Sequence, residues 1–418
     1  MPESSHPEQT CVIIGASHAG VNLAFNLRRK GWLGPILLFD ADPALPYHRP
    51  PLSKAYLSSE GDIEEHALRP WESYEKADIQ LNLGIRVSQI HRQEKRIILE
   101  DGSTHPYDKL VLATGARPLV PPIPGLNEAP NLFLLRTAQD IEAIRSALLE
   151  KPKAQVVIIG GGYIGLETSA SLRKLGVEVQ VLEREARVLA RVTAPEVSAF
   201  YQSLHQAKGV EIHLGKNVTE IQARGPRSLI CCEDGREFMA DLMILGVGIR
   251  VNLELAQSAG LALKDGIKVD ESTQTSDPDI FAIGDCTYHY SPHYDRFFRL
   301  ESVQNAVDQA KVASMALCGE EAKYDSLPWF WSDQYEIKLQ IAGLNTGYDE
   351  VIVRKDHDTK FSVWYFQRDT LLAVDAINDA KAYVLGTRFI KGGQKLDKEK
   401  LADPTCPFKP AELVLQEV

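Results

Sequence analysis

The sequence predicts an α/β protein with two Rossmann-like dinucleotide-binding domains and a C-terminal α+β domain. Three observations predict this fold class. The segments VIIGASHAGVNLAFNLRRKG, from Val12, and VIIGGGYIGLETSASLRKLG, from Val157, repeat one order of apolar strand, glycine loop and amphipathic helix. Short apolar runs separated by polar turns follow residue 336. A length of 418 residues leaves room for two to four domains, at about 150 residues each.

The first repeat has its glycine loop at Gly15, Ser17 and Gly20 and its second strand at Ile36 to Asp40. A serine at the middle position places a Cβ where the backbone of such a loop approaches a pyrophosphate, although its hydroxyl can donate a hydrogen bond there. The acid expected at the end of the second strand is Asp40 or Asp42, and the residues do not decide between them.

The second repeat has the complete fingerprint Gly160, Gly162 and Gly165, and its second strand is predicted at Val179 to Glu183. The first glycine allows a tight turn, the second allows the pyrophosphate to approach the backbone, and the third allows the helix to pack on the strand. The helix N-terminus then faces the phosphates. Of the two repeats, the second therefore gives the stronger sequence signal for a dinucleotide site.

Nucleotide preference depends on Glu183, which lies about twenty residues after the loop. Its carboxylate would accept hydrogen bonds from the ribose hydroxyls and repel a 2′-phosphate, which favours NADH over NADPH. Two following basic residues, Arg184 and Arg187, weaken this preference because they could attract the phosphate.

The remaining elements place the domain boundaries. Strands are predicted at Leu110 to Gly115, Leu242 to Gly248 and Asp279 to Asp285, and the proline-rich segment 116–125 is predicted to be a linker. An antiparallel sheet is predicted near the C-terminus, followed by a helix; its strands are Ile337 to Ile341, Glu350 to Val353, Phe361 to Phe366 and Leu371 to Val374. The predicted domains are a discontinuous first dinucleotide-binding domain at 1–116 and 248–327, a second dinucleotide-binding domain at 117–247 and a C-terminal domain at 328–418.

Composition excludes several classes of protein. An apolar content of 44% and a charged content of 25% indicate a globular chain, and a net charge of −11 argues against a nucleic-acid or anionic-membrane binder. No apolar run reaches the roughly 18 residues needed to span a bilayer, and the first ten residues have no apolar signal core. Six scattered cysteines indicate a reducing compartment, so we expect a cytoplasmic protein.

The cysteines also exclude two kinds of site. Disulfide reductases place a CxxC or CxxxxC pair at the flavin, and this chain has neither pair. Cys231 and Cys232 are adjacent on a predicted strand and point to opposite faces, so packing is the expected role. Cys286, His289 and His293 have no regular spacing and no fourth ligand, so no metal site is expected.

Several blocks of the sequence resemble one family. They are PYHRPPLSKAYL (46–57), ATG (113–115), GGGYIGLE (160–167), RVTAPEVSAFY (191–201), TSDPDIFAIGDC (275–286) and PWFWSDQYEI (328–337). Together with the two glycine loops they resemble the FAD-dependent pyridine-nucleotide oxidoreductases and, within them, the ferredoxin reductases. The resemblance runs from Cys11 to about Val374 and is weakest over the last forty residues.

The resemblance implies the cofactors FAD and NADH and a set of binding residues. It makes the first domain (1–116 and 248–327) the FAD domain, the second (117–247) the NAD domain and the third (328–418) an interface domain. In this family the acidic residue that binds the FAD ribose usually follows a glycine. Here the order is Asp40 and then Ala41, so the acid has moved by one residue. The implied FAD residues are Gly15, Ser17, Ala19, Gly20, Asp40, Ala41, Lys54, Val87, Thr114, Gly115, Arg136, Asp285, Val303 and Trp331. The implied NADH residues are Gly160, Gly162, Tyr163, Ile164, Gly165, Glu183 and Gly248.

Lys54 and Glu167 are the candidate catalytic residues. A cation beside the flavin ring stabilises its anionic reduced form, and a buried carboxylate would hold the ammonium in place. Glu167 is expected on the first turn of the second glycine-loop helix. The alternatives are a surface lysine and an exposed helix acid, which burial would contradict because an unpaired buried charge is costly.

The resemblance also implies that the reduced flavin passes electrons singly to a [2Fe–2S] ferredoxin that supplies a P450 monooxygenase or a dioxygenase. Trp329 is expected in ordinary packing, whereas Trp331 could cover the flavin. Small ferredoxins are typically acidic, so a local basic face is needed, and its candidate residues are Arg69, Lys311, Lys391 and Lys395. Rubredoxin reductase, a carrier-independent NADH oxidase and a non-catalytic NADH sensor remain as alternatives.

Overall fold

The computed structural model describes residues 9–415, which divide into two compact units. Within these residues the first unit takes 9–49, 61–117 and 249–326, and the second takes 50–60, 118–248 and 327–415. The short segment 50–60, assigned to the FAD domain from the sequence, therefore packs in the second unit. The division into three domains stays a prediction.

The first unit is built on a parallel sheet whose central strand is Cys11–Ile14. Successive side chains of this strand point to opposite faces, and both faces are covered: Ile13 packs in one apolar cluster and Val12 in another. A strand buried on both sides reads as a continuous apolar run, which explains the VII motif. The strand order is Ile280–Ala282, Lys109–Leu112, Cys11–Ile14, Ile36–Asp40, Ile79–Leu83.

Smaller elements complete the first unit. Its α-helices are His18–Arg29, Trp71–Lys76, Glu254–Ser258 and Val303–Leu317, and its 3-10 turns are Ile63–His66 and Gly284–Cys286. Its other strands are Val87–His91, Arg96–Leu99 and Thr104–Pro106 in one sheet, and Ile267–Lys268, Thr287–Ser291 and Arg296–Phe298 in another. The strands Ala116–Pro118 and Ile249–Val251 pair with each other.

The second unit contains a second parallel sheet around the strand Gln155–Ile159. The strand order is Glu211–His213, Glu178–Leu182, Gln155–Ile159, Leu242–Leu245, Leu132–Phe133. The predicted strand at 179–183 is shifted by one residue, so Glu183 follows the strand end. A separate antiparallel sheet consists of Val218–Arg224, Arg227–Cys232 and Glu237–Ala240.

The C-terminal part of the second unit is an antiparallel sheet, as the sequence predicts. Its strand order is Trp329–Gln334, Ile337–Gly343, Thr370–Ile377, Lys360–Gln367, Glu350–His357. Tyr365 on one face packs with Leu166 and Tyr201, and Trp364 on the other face packs with Phe389. Because both faces are covered, this sheet forms one unit with the helices that carry Leu166 and Tyr201.

The helices of the second unit complete its architecture. They are Ala55–Ser58, Ala138–Glu150, Tyr163–Lys174, Pro195–Ala207, Ala380–Lys391, Lys398–Ala402 and Pro410–Leu413, with a 3-10 turn at Pro50–Ser53. No helix within residues 9–415 combines the length and the apolar character needed to cross a membrane.

Candidate functional site

The first glycine loop lies in the first unit at the carboxyl end of the strand Cys11–Ile14. Gly15 has φ +113°, and a Cβ there would lie 2.1 Å from the Ala113 carbonyl oxygen. A Cβ on Gly20 would lie 1.9 Å from the Gly15 carbonyl oxygen. Both glycines are therefore required by close backbone approach. Ser17 is the N-cap residue of the helix His18–Arg29, and its side chain makes no capping hydrogen bond. The first helical amides are therefore available to an anion.

Of the two candidate acids, Asp40 is the one that contacts this loop. The Ala16 amide donates to its Oδ2 at 2.5 Å, and the Asp42 amide donates to its Oδ1 at 2.8 Å. Asp42 instead accepts from the Ala44 amide at 3.0 Å and from the Tyr47 hydroxyl at 2.8 Å. Asp40 therefore shapes the loop, and its ribose contact, like that of Ala41, stays a prediction.

Other predicted FAD residues lie at the same edge of the sheet, because the carboxyl ends of parallel strands meet there. Thr114 and Gly115 follow the strand Lys109–Leu112, and the Thr114 hydroxyl donates to the Asn252 carbonyl oxygen at 2.9 Å. Asp285 lies in the turn that follows Ile280–Ala282. That turn approaches the first helix, since a Cβ on Gly284 would lie 3.2 Å from the Ala19 Cβ.

The remaining predicted FAD residues are spread over both units. Val303 begins the helix Val303–Leu317, and Val87 is buried at the start of its strand in the first unit. Arg136, Lys54 and Trp331 belong to the second unit. Within the first unit, the structure thus groups the glycine loop, Asp40, Thr114, Gly115 and Asp285 at one sheet edge.

Arg49 is a residue that the sequence reasoning missed. In the first unit its guanidinium lies 4.8 Å from the centre of the Tyr47 ring, donates to the Tyr47 hydroxyl at 3.0 Å and reaches Ser17 Oγ at 3.5 Å. A cation beside the loop suits a pyrophosphate. The available signal was its position at the start of RPPLSK, five residues before Lys54.

The second glycine loop has the same construction in the second unit. Gly160 has φ +111°, and a Cβ there would lie 2.4 Å from the Gly246 carbonyl oxygen. A Cβ on Gly165 would lie 2.1 Å from the Gly160 carbonyl oxygen. Around Gly162, by contrast, the Cβ position has no heavy atom within 4 Å. Open space at the middle glycine is what the approach of a pyrophosphate requires. Gly248, with φ +121°, has the same open space beside it.

Glu183 has the role in this loop that Asp40 has in the first. The Gly161 amide donates to its Oε2 at 2.6 Å, and the Glu185 amide donates to its Oε1 at 2.8 Å. The two arginines that oppose NADH preference are engaged elsewhere. Arg187 donates to Ser198 Oγ at 2.5 Å and to the Ala190 carbonyl oxygen, and Arg184 pairs with Glu185 at 3.0 Å.

Two predicted NADH residues lie on the first turn after this loop. Ile164 is 45% exposed, which is unusual for an isoleucine and leaves an apolar surface at the loop. The Tyr163 ring lies 5.0 Å from that of Phe330, and burial raises the pKa of its phenol well above the ordinary value.

The structure joins Lys54 and Glu167 within the second unit. Lys54 Nζ lies 2.5 Å from Glu167 Oε2, and Glu167 is 2% exposed. Ser53 Oγ donates to the same oxygen and Ser332 Oγ donates to Oε1, each at 2.6 Å. The alternative that Glu167 is an exposed helix acid is therefore wrong. The helix begins at Tyr163, so Glu167 lies on its second turn and not on the first as expected.

Aromatic side chains line the strand Trp329–Gln334 near this pair. The rings of Trp329 and Trp331 lie 5.5 Å apart, and Trp329 also contacts Tyr383 at 6.5 Å. Trp329 is 39% exposed, so it does not take the closed packing that we expected.

The four docking candidates are exposed, but they are divided between the two units. Arg69 and Lys311 belong to the first unit, and Lys391 and Lys395 belong to the second. Arg69 also donates to the Leu68 carbonyl oxygen at 2.8 Å and lies over the Phe25 ring.

Comparison with known proteins gives a consistent result. The family model described as pyridine nucleotide-disulphide oxidoreductase matches residues 9–310, and the model described as reductase C-terminal matches residues 329–411. The chain is 44% identical to putidaredoxin reductase of Pseudomonas putida, over 95% of each chain. It is 39% identical to the 5,5′-dehydrodivanillate O-demethylase ferredoxin reductase subunit of Sphingobium sp., over 96% of this chain and 98% of that one.

Among solved structures, the covalent putidaredoxin reductase–putidaredoxin complex matches with a TM-score of 0.91 and 43% identity, covering 96% of this chain and 97% of that one. A mixed α/β architecture with two Rossmann-like sheets is thereby confirmed.

Proposed function

Because the chain belongs to the pyridine nucleotide-disulphide oxidoreductases, a family of oxidoreductases that use FAD and NAD(H), we propose that it is an FAD-dependent NADH:ferredoxin reductase. Its electron acceptor would be a [2Fe–2S] ferredoxin that supplies a P450 monooxygenase or a dioxygenase. The observation that carries the proposal is the occurrence of two separate dinucleotide cradles together with the buried Glu167–Lys54 pair.

The first cradle fits FAD. Gly15 and Gly20 keep the backbone close, the uncapped helix amides face the loop, and the Arg49 guanidinium lies beside Ser17. These groups would hold the pyrophosphate, and Asp285 would contact the ribityl end. Bound FAD would supply the chemistry of accepting a hydride from NADH and releasing its electrons one at a time.

The second cradle fits NADH. Its open side is at Gly162, and the Glu183 carboxylate, which follows the neighbouring strand, accepts hydrogen bonds from the Gly161 and Glu185 amides. A 2′-phosphate would therefore meet a carboxylate, whereas Arg184 and Arg187 bind other groups. This arrangement supports NADH as the electron donor.

Lys54 and Glu167 would act without covalent chemistry. Three hydrogen-bond donors converge on the buried Glu167 carboxylate, and this carboxylate holds the Lys54 ammonium at 2.5 Å. A lysine fixed in this way presents a positive charge of defined position, which stabilises negative charge developing on a bound flavin.

The ferredoxin and the compartment are also part of the proposal. A solved relative carries putidaredoxin in covalent complex, and another relative is named a ferredoxin reductase subunit. The six cysteines, all within residues 9–415, are free thiols, which suits the reducing cytoplasm.

The experiment that tests the function follows NADH oxidation by the purified holoenzyme with cytochrome c as final acceptor. We expect fast cytochrome c reduction only when a [2Fe–2S] ferredoxin is added. Reduction with rubredoxin alone would favour the rubredoxin reductase alternative, and rapid oxygen consumption without any carrier would favour the oxidase. Slow flavin reduction by NADH with every carrier would favour the sensor and overturn the proposal.

A further inference from the structure

A chain of hydrogen bonds inside the second unit leads from Glu167 to a tyrosine at a hairpin turn. Ser332 Oγ lies 2.6 Å from Glu167 Oε1, and Gln334 Nε2 lies 3.1 Å from Ser332 Oγ. Gln334 Oε1 lies 2.8 Å from His205 Nε2, and His205 Nδ1 lies 3.4 Å from the Tyr335 hydroxyl. Ser332, Gln334 and His205 are all completely buried. We call Ser332, Gln334, His205 and Tyr335 the relay.

The hydrogen positions in the relay follow from its chemistry. A carboxylate only accepts hydrogen bonds, so the Ser332 hydroxyl must donate to Glu167, and its oxygen can then accept from the Gln334 amide. The Gln334 carbonyl oxygen must in turn accept from His205 Nε2–H. This assignment makes His205 Nδ1 an acceptor, and the Tyr335 hydroxyl donates to it. Every donor in the relay thus points towards Glu167.

Two further observations agree with this assignment. Burial lowers the pKa of His205 to about 4, so the ring is neutral near pH 7 and carries the single N–H that the relay needs. Tyr335 has φ +55°, which is strained for a bulky residue, and its ring is held by His205 at 5.1 Å and by Lys208 at 5.4 Å.

We propose that His205 and Gln334 are positioning residues that act through Ser332 to keep Glu167 a fixed carboxylate and thereby hold the Lys54 ammonium in place. Aligned hydrogen bonds polarise one another, so the stabilisation of Glu167 depends on the whole relay and not on Ser332 alone. The effect of the relay on flavin reduction rests on the proposed function, whereas its hydrogen-bond assignment does not.

The surroundings of Glu167 explain why such support is needed. A buried charge is costly unless hydrogen bonds and an opposite charge satisfy it. Burial raises the pKa of the Tyr163 and Tyr201 phenols, and the charges of Asp375 and Glu167 raise it further. These four residues therefore form one buried group, in which a negative charge on Asp375 would oppose that of Glu167. Lys54 is the cation paired with it, so the donors of the relay and of Ser53 supply the remaining stabilisation.

The first test reads the His205 ring directly and needs no turnover. In the FAD-bound protein labelled with ¹⁵N-histidine, the His205 signals, assigned by their loss in His205→Gln, should show a neutral Nε2–H tautomer. They should not titrate between pH 5.5 and 8.5. A protonated ring, or the Nδ1–H tautomer, would overturn the relay.

The second test compares Ser332→Ala, Gln334→Leu and His205→Leu with wild type in rapid flavin reduction by NADH. We expect the limiting rate to fall about tenfold, the NADH dissociation constant to stay within about twofold of wild type, and the midpoint potential of the bound flavin to become more negative. His205→Gln, which keeps a donor for Gln334, should recover most of the rate and of the potential.

Ser362→Ala is the matched control, because Ser362 is an equally buried serine of the same sheet whose hydroxyl accepts from the Trp364 indole at 2.9 Å. It should leave rate and potential as in wild type. If the relay variants behave like Ser362→Ala while wild type is reduced normally, the relay has no positioning role. If NADH does not reduce wild type, the proposed function fails, and the histidine spectra still decide the relay.

Discussion

At the scale of single residues, burial has made Glu167 and Lys54 depend on each other. Taking an isolated carboxylate out of water is costly, and the cost is offset only where donors and an opposite charge satisfy it. Glu167 has Lys54, Ser53 and Ser332 within 2.6 Å of its two oxygens. The pair therefore satisfies a buried carboxylate and, at the same time, fixes the position of the Lys54 charge.

Replacing Glu167 by glutamine tests this dependence. The amide keeps the size of the side chain but removes the charge that holds Lys54, so we expect the rate of flavin reduction by NADH to fall about tenfold or more, since about 1.4 kcal/mol in the barrier corresponds to a factor of ten. Stopped-flow absorbance of the bound flavin measures this rate. Glu254→Gln, which removes an exposed ion pair with Arg117, should have no effect; an equal loss in both variants would contradict the role of Glu167.

At the scale of elements, the two glycine loops were predictable because local rules determine them. A buried strand, a turn that forbids a Cβ and an amphipathic helix all leave signals within about twenty residues. The predicted strand Ile36–Asp40 has the bounds found in the structure. The strand predicted at 361–366 extends to Lys360–Gln367, because Gln367 still pairs with Thr370 and Lys360 still pairs with His357.

The second glycine loop allows packing and ligand contact to be separated by two substitutions. In Gly165→Ala the new Cβ would lie 2.1 Å from the Gly160 carbonyl oxygen, so we expect the second unit to be destabilised by about 1–3 kcal/mol. In Gly162→Ala the Cβ enters open space, so stability should be preserved and NADH affinity lost. Urea unfolding and NADH titration measure the two effects, and the reverse pattern would contradict this reading of the loop.

The C-terminal sheet contains a carboxyl group that makes stability depend on pH. Burial raises the pKa of Asp375 to about 7, while the hydrogen bond from Tyr365 acts in the opposite direction. In the unfolded chain the ordinary value is about 3.9. The folded state therefore binds the proton more tightly, and the contribution of Asp375 to stability falls as pH rises from about 4 to 7.

Replacing Asp375 by asparagine removes this dependence. We expect the free energy of unfolding of the variant to rise relative to wild type between pH 4 and 7, by an amount on the order of 4 kcal/mol. Tryptophan fluorescence, to which the buried Trp364 of this sheet contributes, measures the difference during urea unfolding at several pH values. Asp333→Asn, an exposed substitution on the same sheet, should follow the wild-type pH profile. Curves for Asp375→Asn that stay parallel to wild type would show that Asp375 is ionised in the folded state.

At the scale of the whole molecule, the sequence indicated both nucleotide cradles and the chemical need for the Lys54–Glu167 pair. It did not indicate that residues 50–60 belong to the second unit, because that placement depends on contacts more than a hundred residues apart. It also did not indicate the relay. Ser332, Gln334 and His205 are isolated polar residues without a periodic pattern, and only the folded chain brings them to Glu167.

Charge acts on the molecule as a whole, and it sets the last prediction. The net charge is −11, yet residues 381–400 carry six basic and two acidic side chains, among them the exposed Lys391 and Lys395. If this segment attracts an acidic ferredoxin, Lys391→Glu with Lys395→Glu should lower the association rate about tenfold or more at low salt, because electrostatic steering raises association rates by 10–10³.

The same salt series separates local from overall charge. At about 0.5 M salt the double variant and wild type should converge, because screening removes attraction beyond a few ångströms. Lys264→Glu with Lys268→Glu changes the net charge equally on exposed lysines of the first unit, and it should leave the association rate close to wild type. Equal slowing by both pairs of substitutions would mean that the partner responds to the net charge of the chain and that the basic C-terminal segment is not its docking face.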